Sequence, residues 1–221
     1  VRHKDLEGTV DGKTVSLPVY FIEHEHHFFR HGYYDDGLHA YPDNASRFGF
    51  FSKAVLQICR ALDWTPDIFH SNDWHTALVP FYLKQAQLEN KDFLKSSSVL
   101  TIHNAGYQGD APGIFRHSLG IPLENFVLEM FEDHGNLNLL KGGINFADQV
   151  NTVSPGYAEE MKTPLGSHGL YDTYLRKGEN FSGILNGCDY DEWDPETYLH
   201  LPANFRSADL VVYPSYYEGQ G

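Results

Sequence analysis

The chain has 221 residues, enough for one well-buried domain or one domain and part of another, and its 41% hydrophobic and 14% aromatic content is that of a globular protein. A net charge of -14 argues against broad binding to nucleic acid or anionic membranes, both of which need a basic face. Cys59 and Cys188 are too few and too far apart for a disulfide framework or a cysteine zinc site, and no apolar run reaches transmembrane length.

The first predicted element is a hairpin, Gly8-Thr9-Val10 and Lys13 to Leu17 around the turn dipeptide Asp11-Gly12. Val19-Tyr20-Phe21-Ile22 reads as a buried strand, and 23–43 as a polar loop rich in His, Tyr and Asp. An amphipathic helix follows, with Phe48, Phe51, Val55, Ile58 and Leu62 at alternating spacings of 3 and 4 behind the cap candidates Asp43 and Asn44. Asp67 to His70 is a short strand, 75–88 a helix despite Pro80, and Ser98 to Ile102 another strand. A Gly-rich loop over 104–120 leads to a helical stretch at 136–147, weakened by Gly142-Gly143. Gln149 to Val153 is a strand. Ser154-Pro155 then opens a helix through Met161, with Ser as N-cap and Pro at the first helical position. Phe181 to Leu185 and Leu210 to Tyr213 are the last predicted strands.

Strands alternating with helices imply right-handed βαβ units, so the expected class is α/β, a Rossmann-like parallel sheet with flanking helices. In such sheets ligands bind outside the carboxyl ends of the strands. Polar residues stand at four successive strand ends: Asp73 and His75, His103 and Asn104, Ser154, then Asn186 and Asp189. They predict a cleft along one edge of the sheet. Several chemistries are excluded, because G-x-x-x-x-G-K-S/T, G-x-G-x-x-G and G-x-S-x-G are all absent. His24, His26, His27 and His31 cluster, but Phe28 stands where H-E-x-x-H needs its second His, so solvated loop histidines and no metal are expected.

Four segments share one resemblance. They are Pro66 to Pro80 (PDIFHSNDWHTALVP), Thr101 to Gly109 (TIHNAGYQG), Asn151 to Ala158 (NTVSPGYA), and Gly183 to Asp189 (GILNGCD) with Trp193 and Pro195. In this order, over roughly 18–205, they resemble motifs of the bacterial glycogen synthases and plant starch synthases. The resemblance implies the N-terminal lobe of a two-lobed GT-B glycosyltransferase. Such enzymes transfer glucose from ADP-glucose or UDP-glucose to the non-reducing end of an α-1,4-glucan, with retention and without metal or other cofactor. It places the protein in the cytoplasm, or in the plastid stroma of a plant or alga.

Position by position, the resemblance makes His103 the active-site histidine and Asp73 the acceptor-side carboxylate. It puts Tyr33 (eight positions before Tyr41), Asn104, His75 and Gln108 in substrate binding, and Asn186 in an inter-lobe turn. Asp73 also stands where it could cap the following helix. Residues 1–205 are then a partial acceptor-side lobe. Residues 206–221 resemble a donor-side loop of the second lobe, with Glu218 as its donor-site glutamate. The K-x-G-G-L-x-D loop and the Arg/Lys pair that hold donor phosphates in this family have no counterpart here, so the chain is expected to be part of a longer one. Two other readings stay open: a non-catalytic glucan-binding lobe, and a retaining transferase of sucrose or mannosyl type, toward which Tyr213-Pro214-Ser215-Tyr216-Tyr217-Glu218-Gly219 leans.

Overall fold

The computed structural model describes residues 1–10 and 12–188. The expected strand 210–213, Asp189, Trp193, Pro195, Glu218 and the boundary at 205/206 lie outside the described residues.

The hairpin forms as β1 (Arg2–Val10) and β2 (Lys13–Phe21), paired from Val10↔Lys13 to Arg2↔Phe21. The buried strand expected at 19–22 does not exist as a separate element. Val19 and Tyr20 pair with Lys4 and His3 inside β2, and Phe21 is 49% exposed. Among the described residues the ribbon pairs only with itself, so alternating apolar residues gave strand geometry without burial.

A short helix, α1 (Glu25–Phe28), lies in the expected loop, and α2 (Asn44–Ala61) carries the predicted amphipathic helix. Its deepest stripe is Ala45, Gly49, Ser52, Leu56 and Cys59, one position beyond the predicted Phe48/Phe51/Val55 stripe, which is half-buried. Small residues bring the helix close: a Cβ on Gly49 would sit 2.1 Å from Leu119 Cδ2. Asp43 holds the N-cap position but makes no cap bond. Arg30 takes its carboxylate instead, donating to both oxygens at 2.6 Å.

β3 (Ile68–Asn72) runs into α3 (Asp73–Thr76) and α4 (Leu78–Gln85), which ends in a π-turn over Ala86–Asn90. Pro80 sits in the first turn of α4, where its missing N–H costs little. β4 (Ser97–Ile102) follows. The expected Gly-rich loop contains β5 (Asp110–Pro112) and α5 (Arg116–Leu119). β5 joins β6 (Glu132–Asp133) and β7 (Asn136–Asn138) in a small antiparallel sheet of order β5-β7-β6.

The helix expected from 136 therefore begins later, as α6 (Leu139–Phe146), where Asn138 Oδ1 accepts from the Lys141 N–H at 2.8 Å. The glycines that weaken it locally are where it packs. Cβ atoms there would meet Phe131 (Gly142) and Ala77 (Gly143) at 1.8 and 2.6 Å.

β8 (Gln149–Thr152) and α7 (Pro155–Met161) match the sequence reading, and Ser154 Oγ accepts from the Tyr157 N–H at 3.0 Å. α8 (Tyr171–Lys177), which no sequence signal singled out, buries Tyr174 completely before β9 (Phe181–Gly183). β3, β4, β8 and β9 form one parallel sheet in that order, with Asn72↔Thr101, Ile102↔Thr152 and Thr152↔Gly183 in register near its carboxyl edge. Leu100 and Ile102 of β4, Phe81 and Leu83 of α4, and Leu140 and Ile144 of α6 are all 0% exposed, so the core lies between sheet and helices. This is the expected α/β, Rossmann-like architecture.

Candidate functional site at the carboxyl edge of the parallel sheet

Parallel pairing ends β3 and β4 side by side, which brings Asn72-Asp73 against His103. Asp73 Oδ1 accepts from the His103 backbone N–H at 2.8 Å, and His103 Nε2 lies 3.0 Å from Asn72 Oδ1. The two strand ends are thus linked twice. Asp73 has φ +54, a left-handed conformation that a non-glycine residue adopts at a cost of order 1–3 kcal/mol and that recurs at functional sites. It makes no helix-cap bond. Thr76 closes that turn instead, its Oγ1 accepting from the Asn72 N–H at 2.6 Å and donating to the Asn72 carbonyl at 2.8 Å. Asp73 Oδ2 makes no hydrogen bond to any described residue, so a carboxylate oxygen and the exposed His103 imidazole share one rim.

His75, one turn into the helical segment, sits in a nest of rings. Trp74 is 4.2 Å away between centroids, Phe48 4.8 Å edge-on and Tyr34 5.0 Å stacked. Burial holds its pKa below 6.5 against the opposing pull of Asp73, so at neutral pH the imidazole is uncharged.

Tyr34, not Tyr33, makes the stack; Tyr33 is 85% exposed. The loop bearing both is held from below by Arg47, 3% exposed. Arg47 donates to the Tyr33 carbonyl (3.1 Å), the His27 carbonyl (2.7 Å) and Asn44 Oδ1 (2.5 Å).

Asn104 and Gln108 shape the turn after β4. Asn104 Oδ1 accepts from the Gly106 N–H at 2.9 Å. Gln108, 8% exposed, donates to the Ala105 and His168 carbonyls, both at 2.9 Å, and accepts from Asn138 Nδ2 at 2.6 Å. Its amide is thus committed to protein partners, which ties the turn to α6. Tyr157 of α7 adds a brace, its hydroxyl accepting from the Ala105 N–H at 3.2 Å.

Asn186 is exposed and leaves the same edge of the sheet, three residues beyond β9. With the order β3-β4-β8-β9 it stands two strands from His103. A Cβ on Gly183 would lie 2.0 Å from the Ser154 carbonyl oxygen, so only glycine lets β9 run this close to the start of α7. Asp73, His103, His75 and Asn104 therefore gather around the β3 and β4 ends, Gln108 lies behind them, Tyr33 above, and Asn186 farther along the rim. Sequence reasoning missed Asn72, Tyr34, Phe48, Arg47 and Tyr157. Asn72 adjoins Asp73 in one motif and Tyr157 stands in another, so both were open to detection; Phe48 was read only as part of a helix stripe, and Tyr34 and Arg47 enter through contacts that leave no local pattern.

The starch synthase catalytic domain family matches residues 4–177. A glycogen synthase of Vibrio cholerae is 44% identical over 208 residues, covering 92% of this chain and 41% of its own length. One from an Anaeromyxobacter species is 45% identical over 194 residues, with 87% and 41% covered. Among solved structures, the catalytic domain of starch synthase IV from Arabidopsis thaliana, bound to ADP and acarbose, superposes with a TM-score of 0.67 at 33% identity. That match covers 88% of this chain and 39% of the other. The chain thus spans about 41% of the length of the curated relatives it matches.

Proposed function

Because the chain belongs to the starch synthase catalytic domain family, we propose that it supplies the acceptor-side lobe of a retaining glucosyltransferase that extends an α-1,4-glucan from ADP-glucose or UDP-glucose. The observation that carries this reading is the double link between Asn72-Asp73 and His103, which sets a carboxylate and an imidazole on the rim where parallel sheets take ligands.

In the proposed reaction the bond from the sugar anomeric carbon to the nucleotide phosphate breaks. A bond forms to the hydroxyl at the non-reducing end of the glucan, and that hydroxyl's proton passes to the departing phosphate oxygen. Asp73 orients the acceptor hydroxyl through Oδ2. His103 lies against the transferred sugar, where its lone pairs and the nearby carboxylate favour the positive charge that develops there. Neutral His75 and Asn104 bind acceptor hydroxyls, Tyr33 offers a ring for a glucose face, and Gln108 keeps the turn in place. Asn186, Glu218 and the second lobe enclose the donor, which is the cosubstrate; the scheme uses no metal or other cofactor. A soluble compartment, the cytoplasm or plastid stroma, suits it, and no described helix is long and apolar enough to cross a membrane.

The test is transfer of radiolabelled glucose from ADP-glucose and from UDP-glucose to maltooligosaccharide. It is run on the chain alone and on the chain joined to the second lobe of a homologous glycogen synthase. Transfer by the joined protein is expected. Glucan binding without transfer in either form would favour a non-catalytic glucan-binding lobe, which the exposed Tyr33 supports. Activity only with another nucleotide sugar would move the assignment to a sucrose- or mannosyl-type transferase.

A further inference from the structure

Among the described residues, a group of metal-ligating side chains lies where α1 meets the start of α2. His26 and His27 come from α1, and Asp43, sixteen positions beyond His27, from the N-cap of α2. One ligand atom from each of the three lies within 4.8 Å of the other two. Tetrahedral zinc bonds of about 2.0–2.2 Å set donors roughly 3.3–3.6 Å apart, so the three side chains must turn inward by about 1 Å to close on an ion. His27 Nδ1 is buried and, among the described residues, has no hydrogen-bond partner, an arrangement that costs energy unless something occupies it.

We propose that His26, His27 and Asp43 bind a divalent transition-metal ion of the zinc class, with a fourth position open to water. This inference does not depend on the transferase reading.

Arg30 engages both Asp43 oxygens, yet a carboxylate offers about four lone-pair directions, and the outer ones remain. Arg30 then becomes the partner that orients the ligand. The nearby guanidinium groups oppose any dication alike, and it is the two imidazole donors that favour a zinc-class ion over oxygen-seeking Mg²⁺ or Ca²⁺. Since Arg47 donates to the carbonyls of both His27 and Tyr33, the ion would also fasten the loop that carries Tyr33 and Tyr34.

The experiment titrates the metal-free chain with Zn²⁺ alone, followed by calorimetry and by competition with a chromogenic chelator. One ion per chain and a raised thermal midpoint are expected, with no effect of Mg²⁺. His26 is exposed, so His26→Gln should fold normally while weakening Zn²⁺ binding by more than about tenfold, as should His27→Gln. Co²⁺ in place of Zn²⁺ should give the visible band of a tetrahedral nitrogen/oxygen site, which reads the ligands directly in the unmutated chain. No binding by the unmutated chain, binding unchanged in both variants, or a cobalt spectrum showing sulfur ligation abolished by Cys188→Ser would overturn the proposal.

Discussion

Two regions converge on His75, and they are built differently. At the sheet rim, Asp73 and His103 are placed by the β3–β4 ladder, so their separation follows from main-chain register. In the 33–48 segment, Tyr33 and Tyr34 are placed by one buried guanidinium and by ring stacking. The first arrangement tolerates loss of a side chain because the backbone keeps the geometry. The second depends on a side chain, so losing Arg47 loses the geometry as well. A rim can therefore be chemically essential and structurally dispensable, while its covering loop is the reverse.

The sharpest test of that contrast is His103→Ala in the chain joined to a second lobe. Turnover should fall by about 10²–10³-fold, while the thermal midpoint stays unchanged. An unaffected turnover would remove His103 from the site. Arg47→Met should act the other way, costing about 2–4 kcal/mol in chemical denaturation because three acceptors lose a buried donor. A loss under about 1 kcal/mol would erase the distinction between the regions.

At the junction, His75→Phe keeps the ring and removes the proton site. The folded-state pKa of His75 lies below 6.5, so the unfolded chain binds this proton more readily, and the unmutated protein loses stability as pH falls from 7 toward 5. The variant should lose less, by at most about 1.4 kcal/mol per pH unit, with His27 supplying a remaining slope of the same sign. An equally steep profile would contradict the buried neutral imidazole. Smallest of all, Tyr33→Ser should change stability by less than about 0.5 kcal/mol, since the ring is exposed and its carbonyl is retained. Affinity for glycogen in native gels should nonetheless weaken about three- to tenfold, and unchanged migration would free Tyr33 from any glucan contact.

Much of the sheet was legible because its signals are local. Ser154-Pro155 marked a helix start that the structure reproduces, and the apolar runs at 98–102 and 149–153 became β4 and β8. Other readings failed where a distant partner decided. Asp43 has every credential of an N-cap, yet Arg30, thirteen positions away, takes the carboxylate. Asp73 was open to a capping role and bonds instead to the neighbouring strand. Gly142-Gly143 lowered the helix expectation although those glycines admit Phe131 and Ala77.

The sequence by itself determined the alternation of strands and helices, hence a parallel sheet and the edge on which its polar residues stand, because propensity, capping and periodicity act within a few residues. Only the tertiary structure decided which strand ends touch, that Arg47 underlies the tyrosines, and that Asp43 meets His26 and His27. Those pairings join residues far apart in the chain, and long-range packing selects among partners that local chemistry leaves equally eligible.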